Sequence, residues 1–296
     1  MSTSATSLDL ETAHSEKSVS EVTFDGPVIT IEAENSFQAL SPSHLWQYRE
    51  LLYFLTWREL KVRYKQAVLG IAWVVVQPLM MTLTFTVVLG NLARVPSDGI
   101  PYPVFAYSGF MIWSFLSAAI LNAGTSLVGN APLITKVYFP RLILPVASIA
   151  ARLVDLGVSF AIFLALLAYF RTGITLKILA VPLVIFLVTL LALAVGMWVA
   201  ALNVKYRDVT LALPVLIQIS MFLSPVVYPP SLIPSQWRWL YSLNPVVGIL
   251  GAFRSVIFGL PFNWPQILVS VVITLSLLVY AAFVFDNRER TFADIV

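Results

Sequence analysis

Cysteine is absent from this 296-residue sequence, and only two histidines and 11% charged residues are present. The lack of cysteine excludes disulfides, thiolate metal sites and cysteine nucleophiles. His14 and His44 are too few and too close to the N-terminus for a zinc site or a histidine-based triad. No phosphate-binding loop of the G-x-x-x-x-G-K-[ST] type occurs. The sequence therefore predicts a chain without catalytic residues, metal ligands or a cofactor of its own.

Apolar residues dominate the chain, at 59% of the total. A soluble domain carries about 25% charged residues, more than twice the share found here. So few polar side chains cannot cover the apolar ones, which predicts that lipid is the solvent for most of the chain. The net charge of +3 is too small for the basic surface of a nucleic-acid binder.

Residues 1–43 differ from the rest, because they hold seven acidic residues and one basic residue. We interpret this segment as an acidic, disordered cytoplasmic tail. A short strand at residues 22–32 that docks on a partner is the alternative. The tail lacks the basic and apolar regions of a cleavable signal, so the first internal span is expected to direct insertion.

Residues 44–66 predict an amphipathic helix that is too charged to cross a membrane. Trp46, Tyr53, Trp57, Leu60 and Tyr64 recur at helical spacing along one stripe. Aromatic residues favour the headgroup level of a bilayer, and lysine and arginine reach anionic lipid from there. We therefore expect an interfacial helix on the cytoplasmic surface.

Residues 67–296 predict a transmembrane domain, and the fold class expected is an all-α membrane protein with six transmembrane helices. About 20 apolar residues are needed to cross the hydrocarbon layer. Stretches of about that length or longer lie at 70–92, 104–128, 142–170, 177–202, 209–227 and 264–285. With both termini in the cytoplasm, eleven lysines and arginines fall inside and five, including Arg254, fall outside. This bias favours that orientation.

The segment 228–262 lies outside in this topology, yet it is apolar, aromatic and punctuated by prolines. A free loop would be polar. We expect two short re-entrant periplasmic helices that dip back into the outer leaflet, where surrounding protein buries them.

Three further groups of residues suggest function. Arg152 and Asp155 are charges within the third span; they either neutralise each other or line a polar path. Aromatic and serine side chains along the second span either line a saccharide channel or pack against other helices. The loop 130–141 exposes apolar residues beside Lys136 and Arg141, which favours docking onto another protein over folding against its own spans.

Several motifs carry a resemblance to a known family. The sequence Arg63-Tyr-Lys-Gln-x-x-Leu69-Gly70-x-x-Trp73-x-x-x-Gln77-Pro78 resembles the start of the first span in type-2 ABC transporter permeases that export polysaccharides. The O-antigen, capsule and teichoic acid exporters belong to that family. The run from Trp46 to Leu60, the loop 133–140, Asn203-Val-Lys-Tyr-Arg-Asp208 and Leu243-Asn-Pro245 are similar to it as well. The resemblance covers about residues 44–296.

The resemblance implies a homodimer in the bacterial inner membrane with two separate ATPase subunits, which bind the ATP and Mg²⁺. It implies a cargo of lipid-linked polysaccharide that carries a diphosphate. It assigns a substrate entrance to Arg63, Tyr64, Lys65, Gln66, Leu69 and Gly70, and an ATPase-coupling helix to a segment with Leu133, Lys136, Tyr138, Phe139 and Arg141. It places a periplasmic gate at Trp237, Trp239, Tyr241, Asn244 and Pro245. Together with the residue patterns it suggests a channel lined by Phe85, Tyr107, Phe110, Trp113, Ser114, Ser117, Arg152 and Asp155.

Three rival functions remain open from sequence. A permease for drugs or small lipids in the same superfamily would share the motifs and differ in cargo. A secondary carrier would show internal repeats and clustered intramembrane acids, and neither is visible. A membrane-embedded glycosyltransferase or ligase would need carboxylates at the span ends or in outer loops, and on the outside Asp98 is the sole candidate.

Overall fold

Every regular element in the described part of the chain is helical. The computed structural model describes residues 46–65, 70, 72–173 and 175–295, with side chains as far as Arg288. The predicted tail at 1–43 therefore lies outside the described residues. The helices are α1 (Arg49–Tyr64), α2 (Ala72–Phe85, continued by a π-helical segment, Thr86–Leu92), α3 (Tyr102–Gly129), α4 (Ala131–Ile134), α5 (Ile143–Tyr169), α6 (Val181–Lys205), α7 (Val209–Phe222), α8 (Arg238–Ser242), α9 (Pro245–Phe258) and α10 (Trp264–Ile295).

Five helical segments are long and apolar enough to cross a membrane. They are Ala72–Leu92, Tyr102–Gly129, Ile143–Tyr169, Leu176–Lys205 and Trp264–Arg288. Each coincides with one of the six predicted spans. Because all five are helical, their backbone polar groups form hydrogen bonds within each helix, as a chain in hydrocarbon requires.

The predicted fifth span, at 209–227, is shorter in the structure than in the prediction. It corresponds to α7, which has 14 residues and ends at Phe222. At 1.5 Å per residue α7 rises about 21 Å, less than the hydrocarbon thickness. Further along, the segment 235–258 forms two short helices bent by 97° at the Leu243–Asn244 link. Two short helices in the segment 228–262 were predicted, and their re-entrant placement in a bilayer stays a prediction.

The centre of the subunit is α3, most of which is buried by α2, α5, α6 and the loop after α7. One stripe of its second half, which includes Ser114, Ser117, Asn122 and Thr125, is only partly buried. Close approach of α3 and α6 depends on small residues, since a Cβ added to Gly196 would lie 2.7 Å from the Cβ of Ala123. Such small-residue contacts are common between membrane helices.

Helix α1 packs along α5 through Leu55, which is buried in a second apolar cluster with Leu144 and Phe285. Arg58 donates a hydrogen bond to Asn130 Oδ1, which lies at the junction of α3 and α4. The aromatic side chains of Trp46, Tyr53 and Trp57 are exposed on the opposite side. We refer to the end of the helix bundle next to α4 as the α4 end, and to the opposite end as the distal end.

Candidate functional site

A cavity of about 200 Å³ lies between α1, α2, α3 and α5. Its lining combines charged, polar and aromatic side chains, which is unusual for a space between apolar helices. The lining residues are Arg63, Tyr64, Gly70, Trp73, Val74, Gln77, Pro78, Met111, Ser114, Phe115, Ala118, Arg152, Asp155, Leu156 and Ser159. The cavity is therefore the candidate binding site of this chain.

Three charged side chains meet in this cavity. Arg63 Nη1 donates a hydrogen bond to Asp155 Oδ2 at 2.8 Å, and Arg152 Nη1 donates to the same oxygen at 3.1 Å. The two guanidinium groups outnumber the carboxylate, so the cluster carries a surplus positive charge. Charges at membrane depth are costly and mark sites that face water, protein or a ligand.

Tyr64 completes the cluster by donating its phenolic hydrogen to Asp155 Oδ1. Burial raises the pKa of the Tyr64 hydroxyl above its ordinary value of 10, and the hydrogen bond to the Asp155 carboxylate raises it further. Tyr64 is therefore a neutral hydrogen-bond donor at physiological pH. Both Asp155 oxygens are then engaged, and the carboxylate holds the end of α1 against α5.

Asp155 lies deep in α5, about 18 Å along the helix from its first residue, Ile143. Contact with Arg63 requires the last turn of α1 to reach this depth. Sequence analysis paired Arg152 with Asp155 as either a self-neutralising pair or part of a polar path. The structure adds Arg63 as a second cation, so the pair is not self-contained.

The predicted entrance residues divide into three groups. Arg63, Tyr64 and Gly70 line the cavity, while Lys65 is exposed beside it at the end of α1. Gly70 has a φ of 49°, a left-handed conformation that favours glycine. Gln66 and Leu69 lie outside the described residues.

The predicted channel residues also divide. Ser114, Arg152 and Asp155 line the cavity, whereas Trp113 is buried in the apolar core. Ser117 is partly buried and donates to the carbonyl of Ser114 at 3.2 Å. These positions do not test which side chains face a transported molecule, so the channel role stays a prediction.

Two of the predicted channel aromatics are enclosed by helices of the same subunit. Tyr107 donates to the Ser159 carbonyl at 3.1 Å and stacks on Phe163. Phe110 packs against Phe85, with ring centroids 5.2 Å apart. Both Tyr107 and Phe110 are buried. In the described chain these rings contribute to packing, which was the alternative reading of the aromatic stripe.

Sequence reasoning did not single out the polar and aromatic cavity residues Trp73, Gln77, Phe115 and Ser159 as site candidates. Trp73 and Gln77 were noted only as parts of a family motif. Their spacing of four residues places them on one face of α2, which was a signal that could have identified them.

Comparison with known proteins decides the family. A family model described as ABC-2 type transporter matches residues 50–258, which is more than half of the chain and includes all of the cavity. The chain belongs to the ABC-2 type transporter family. It is a multi-pass membrane protein of that family, with the apolar helices described above.

Three relatives of this ABC-2 chain align with it over nearly their own whole length. An O-antigen export system permease protein, RfbA, from Myxococcus xanthus is 30% identical over 258 residues, covering 84% of this chain and 96% of the relative. The RfbA of Klebsiella pneumoniae is 25% identical, and the match covers 83% of this chain and 95% of the relative. The polysialic acid transport protein KpsM of Escherichia coli is 26% identical, and the match covers 75% of this chain and 89% of the relative.

The predicted coupling segment of this ABC-2 chain forms α4 and the loop after it. Tyr138 is 75% exposed and Lys136 is exposed beside it, whereas Phe139 is only 5% exposed and packs into the second apolar cluster. Residues from Ile134 to Phe139, together with Arg141, surround a shallow cavity of about 250 Å³. Leu133 is partly buried against the same cluster. The loop is thus anchored by Phe139 and presents Tyr138 and Lys136 outward.

The predicted gate residues of the ABC-2 chain lie within or directly beside the bent pair α8–α9. Trp237 and Trp239 are exposed. Tyr241 contacts Tyr228, with their hydroxyl oxygens 3.3 Å apart. Asn244 caps α9 by accepting a hydrogen bond from the Val246 amide at 3.0 Å, and Pro245 is the first residue of that helix, where proline is favoured.

Proposed function

We propose that this chain is the permease subunit of an ABC transporter that exports a lipid-linked polysaccharide across the bacterial inner membrane. In this proposal two copies form the channel and two separate ATPase subunits supply the energy. Both termini lie in the cytoplasm, so the α4 end of the bundle faces the cytoplasm and the distal end faces the periplasm. The chain itself is not an enzyme and holds no cofactor.

The cargo class is supported by the relatives. Proteins named for O-antigen export match more than four fifths of the chain, and a protein named for polysialic acid transport matches three quarters of it. The family match, over residues 50–258, extends from α1 to the end of α9, so it includes the cavity, the α4 loop and the bent pair. A glycan is therefore the cargo class that we assign to this chain.

The single observation that carries the proposal is the surplus cation in the cavity. Arg63 and Arg152 share one carboxylate, Asp155. In addition, Nε of Arg152 is buried without a hydrogen-bond partner among the described residues. Unused donors beside a net positive charge suit an anion such as a diphosphate, which guanidinium groups bind through paired hydrogen bonds.

Aromatic side chains adjoin this charged cluster. Tyr64, Trp73 and Phe115 contribute to the cavity wall, and Gln77 and Ser114 add hydrogen-bonding groups. Sugar rings present apolar faces and hydroxyl edges, so a wall of this composition suits the first saccharides beside a diphosphate. This combination supports an amphiphilic anionic glycan over a purely apolar drug.

The energy source is assigned to a partner. The exposed side chains of Lys136, Val137 and Tyr138 form a surface at the α4 end where a cytoplasmic ATPase can dock. Exposed apolar residues beside a base are typical of protein interfaces. ATP and Mg²⁺ would then bind to the partner alone.

Purification from the native membrane in mild detergent, followed by mass spectrometry, tests the partner assignment. We expect a nucleotide-binding ATPase in equal amount to this chain. A folded chain that repeatedly purifies without an ATPase would contradict the proposal. Sensitivity of transport to a proton gradient, without any need for ATP, would then indicate a secondary carrier.

Inverted vesicles that contain both proteins test the cargo. We expect ATP-dependent uptake of a labelled polyprenyl-diphosphate glycan, and no uptake of the same glycan without its lipid and diphosphate. Uptake of small apolar dyes, with no uptake of the lipid-linked glycan, would assign the chain to the drug or small-lipid exporters instead.

A further inference from the structure

The first part of the chain after α7 is buried although it is not helical. Residues 223–229 follow the end of α7 as turns and bends, and Ser224, Pro225, Val226 and Val227 are all buried. We call residues 223–229 the break segment. Backbone carbonyls that leave a helix at membrane depth need other hydrogen-bond donors, because no bulk water reaches them.

Six successive carbonyls, from Phe222 to Val227, each accept a hydrogen bond. Only one of these bonds is local backbone, from the Val226 amide to the Ser224 carbonyl at 2.7 Å. The other five come from side chains: Tyr228 to Phe222 at 2.8 Å, Asn244 to Leu223 at 3.2 Å, Arg254 to Pro225 at 2.7 Å and to Val226 at 2.8 Å, and Tyr102 to Val227 at 2.8 Å. The break segment is therefore held by α3, α9 and the α8–α9 link.

Arg254 has the central place in this network. Its side chain extends from α9, is only 4% exposed and provides two of the five side-chain bonds. Sequence analysis counted Arg254 among the cations on the outer side of the membrane, and the structure adds that its side chain is buried within α9. No charge pattern in the sequence distinguishes a buried arginine within an apolar helix from one at its end.

The same guanidinium also contacts α3. Nε donates to Ser108 Oγ at 3.3 Å, Nη2 lies 3.4 Å from the Phe105 carbonyl oxygen, and the group stacks 3.7 Å above the centroid of the Phe105 ring. Gly109 has no side chain where the Val226 carbonyl approaches, and an added Cβ would collide with that oxygen. Arg254 thus joins α9, the break segment and α3 at one point.

A lysine at position 254 could not make the same set of contacts. The planar guanidinium presents several donors in a fixed fork and stacks on an aromatic ring, while an ammonium group is a compact, strongly hydrated charge. All the hydrogen-bond acceptors of Arg254 in the described residues are backbone carbonyls or the Ser108 hydroxyl. Its role is thus to organise backbone rather than to neutralise a carboxylate.

We propose that Arg254 is a positioning residue for the distal end of the export path: it fixes the break segment, and with it the end of α7, to the central helix α3. Motion of α9 is then transmitted to α7, because both attach to the same guanidinium. This inference rests on the proposed function for its link to export. The attachment itself is independent of the cargo and can be tested separately.

The lack of cysteine gives a clean background for that test. Val226→Cys places a thiol in the buried break segment, and Ser126→Cys places a matched buried thiol near the opposite end of α3. Both are measured by the rate of alkylation with N-ethylmaleimide in the complete transporter in mild detergent. Both thiols should react slowly when Arg254 is present.

Adding Arg254→Gln should speed alkylation of the Val226→Cys thiol about tenfold or more, since two charge-assisted bonds to the segment are lost. The Ser126→Cys thiol should keep its slow rate. An unchanged alkylation rate at position 226 would overturn the proposal, because it would show that Arg254 does not hold the break segment. An equal increase at positions 226 and 126 would also overturn it, because it would show a general loosening of the subunit.

Ser108→Ala provides a second variant if Arg254→Gln does not fold. It removes the Nε acceptor, together with the local bond from Ser108 Oγ to the Phe105 carbonyl, and leaves the Arg254 bonds to the break segment in place. Loss of the Nε bond should speed alkylation at position 226 about fivefold. No increase in this folded variant would likewise overturn the proposal. For the link to export, Arg254→Gln transporters should hydrolyse ATP within about twofold of the native rate. They should export much less glycan for each ATP hydrolysed. The same ratio of exported glycan to hydrolysed ATP as in the native transporter would show that the attachment does not serve export.

Discussion

Arg63 and Asp155 lie 92 residues apart in the sequence, and Arg63 Nη1 is 2.8 Å from Asp155 Oδ2. This ion pair fixes the last turn of α1 to the interior of α5. Because Arg152 binds the same carboxylate oxygen, the two arginines are held together by one acid. In the proposed function, an anionic ligand competes with this carboxylate for the two arginines.

Asp155→Asn tests this competition. Without the carboxylate, both arginines are available, and the cavity should bind a short-chain polyprenyl diphosphate about tenfold more tightly. The same change should destabilise the folded subunit by about 3 kcal/mol, because Asp155 is buried and its loss leaves two arginines without a counter-charge. Titration calorimetry and thermal unfolding in one detergent measure the two effects. Weaker diphosphate binding by this variant would show that the arginines do not form an anion site.

Arg63→Gln should reduce glycan export about tenfold, since it removes one of the two cations at the cavity. Lys61→Gln is the matched control on the same helix, because Lys61 is exposed and stacks on Trp57 away from the cavity. Surface glycan is quantified in cells that contain equal amounts of each variant in the membrane. Equal export by the two variants would remove Arg63 from the proposed entrance.

Gly196→Ala should destabilise the subunit by about 1–3 kcal/mol, because the new methyl group collides with Ala123 at the α3–α6 contact. Gly157→Ala makes the same chemical change within α5, where an added Cβ meets no atom within 4 Å of the described chain. That control should keep or raise stability, since alanine favours helix. Thermal unfolding in detergent distinguishes them, and equal midpoints would contradict the close packing of α3 and α6.

Tyr138→Ala should leave the subunit folded and weaken its association with the ATPase about tenfold or more, because Tyr138 is exposed on the proposed docking surface. Phe139→Ala should instead destabilise the fold by about 3–5 kcal/mol, since that side chain is buried in the second apolar cluster. Co-purification of the ATPase and thermal unfolding separate the two effects. Full ATPase binding by the folded Tyr138 variant would argue for a different docking surface.

Hydropathy was sufficient to predict five of the spans and the all-helical class, because long apolar runs have one solution in lipid. It overestimated α7. The stretch 209–227 is predominantly apolar, but Pro225 and the polar contacts of the break segment end the helix at Phe222. A hydropathy average does not register those contacts, since their donors lie far away in the sequence.

The candidate site was predicted only in part, for the same reason. The Arg152–Asp155 spacing is local and visible in one helix, whereas Arg63 joins it only after α1 folds along α5. Likewise, nothing local distinguishes the buried Arg254 from a loop arginine. The resemblance correctly indicated the family, and the role of each assigned residue still depends on the experiments above.

The length of α7 has a consequence for how the protein responds to its bilayer. Because its end is determined by polar side chains of neighbouring helices, that length is independent of lipid thickness. In a thicker or thinner bilayer, the long helices α3, α5, α6 and α10 should then adjust to the hydrophobic mismatch by tilting. The distal end of α7 should keep its depth relative to α3, so changes in lipid composition should alter helix tilt while sparing the geometry of the break segment.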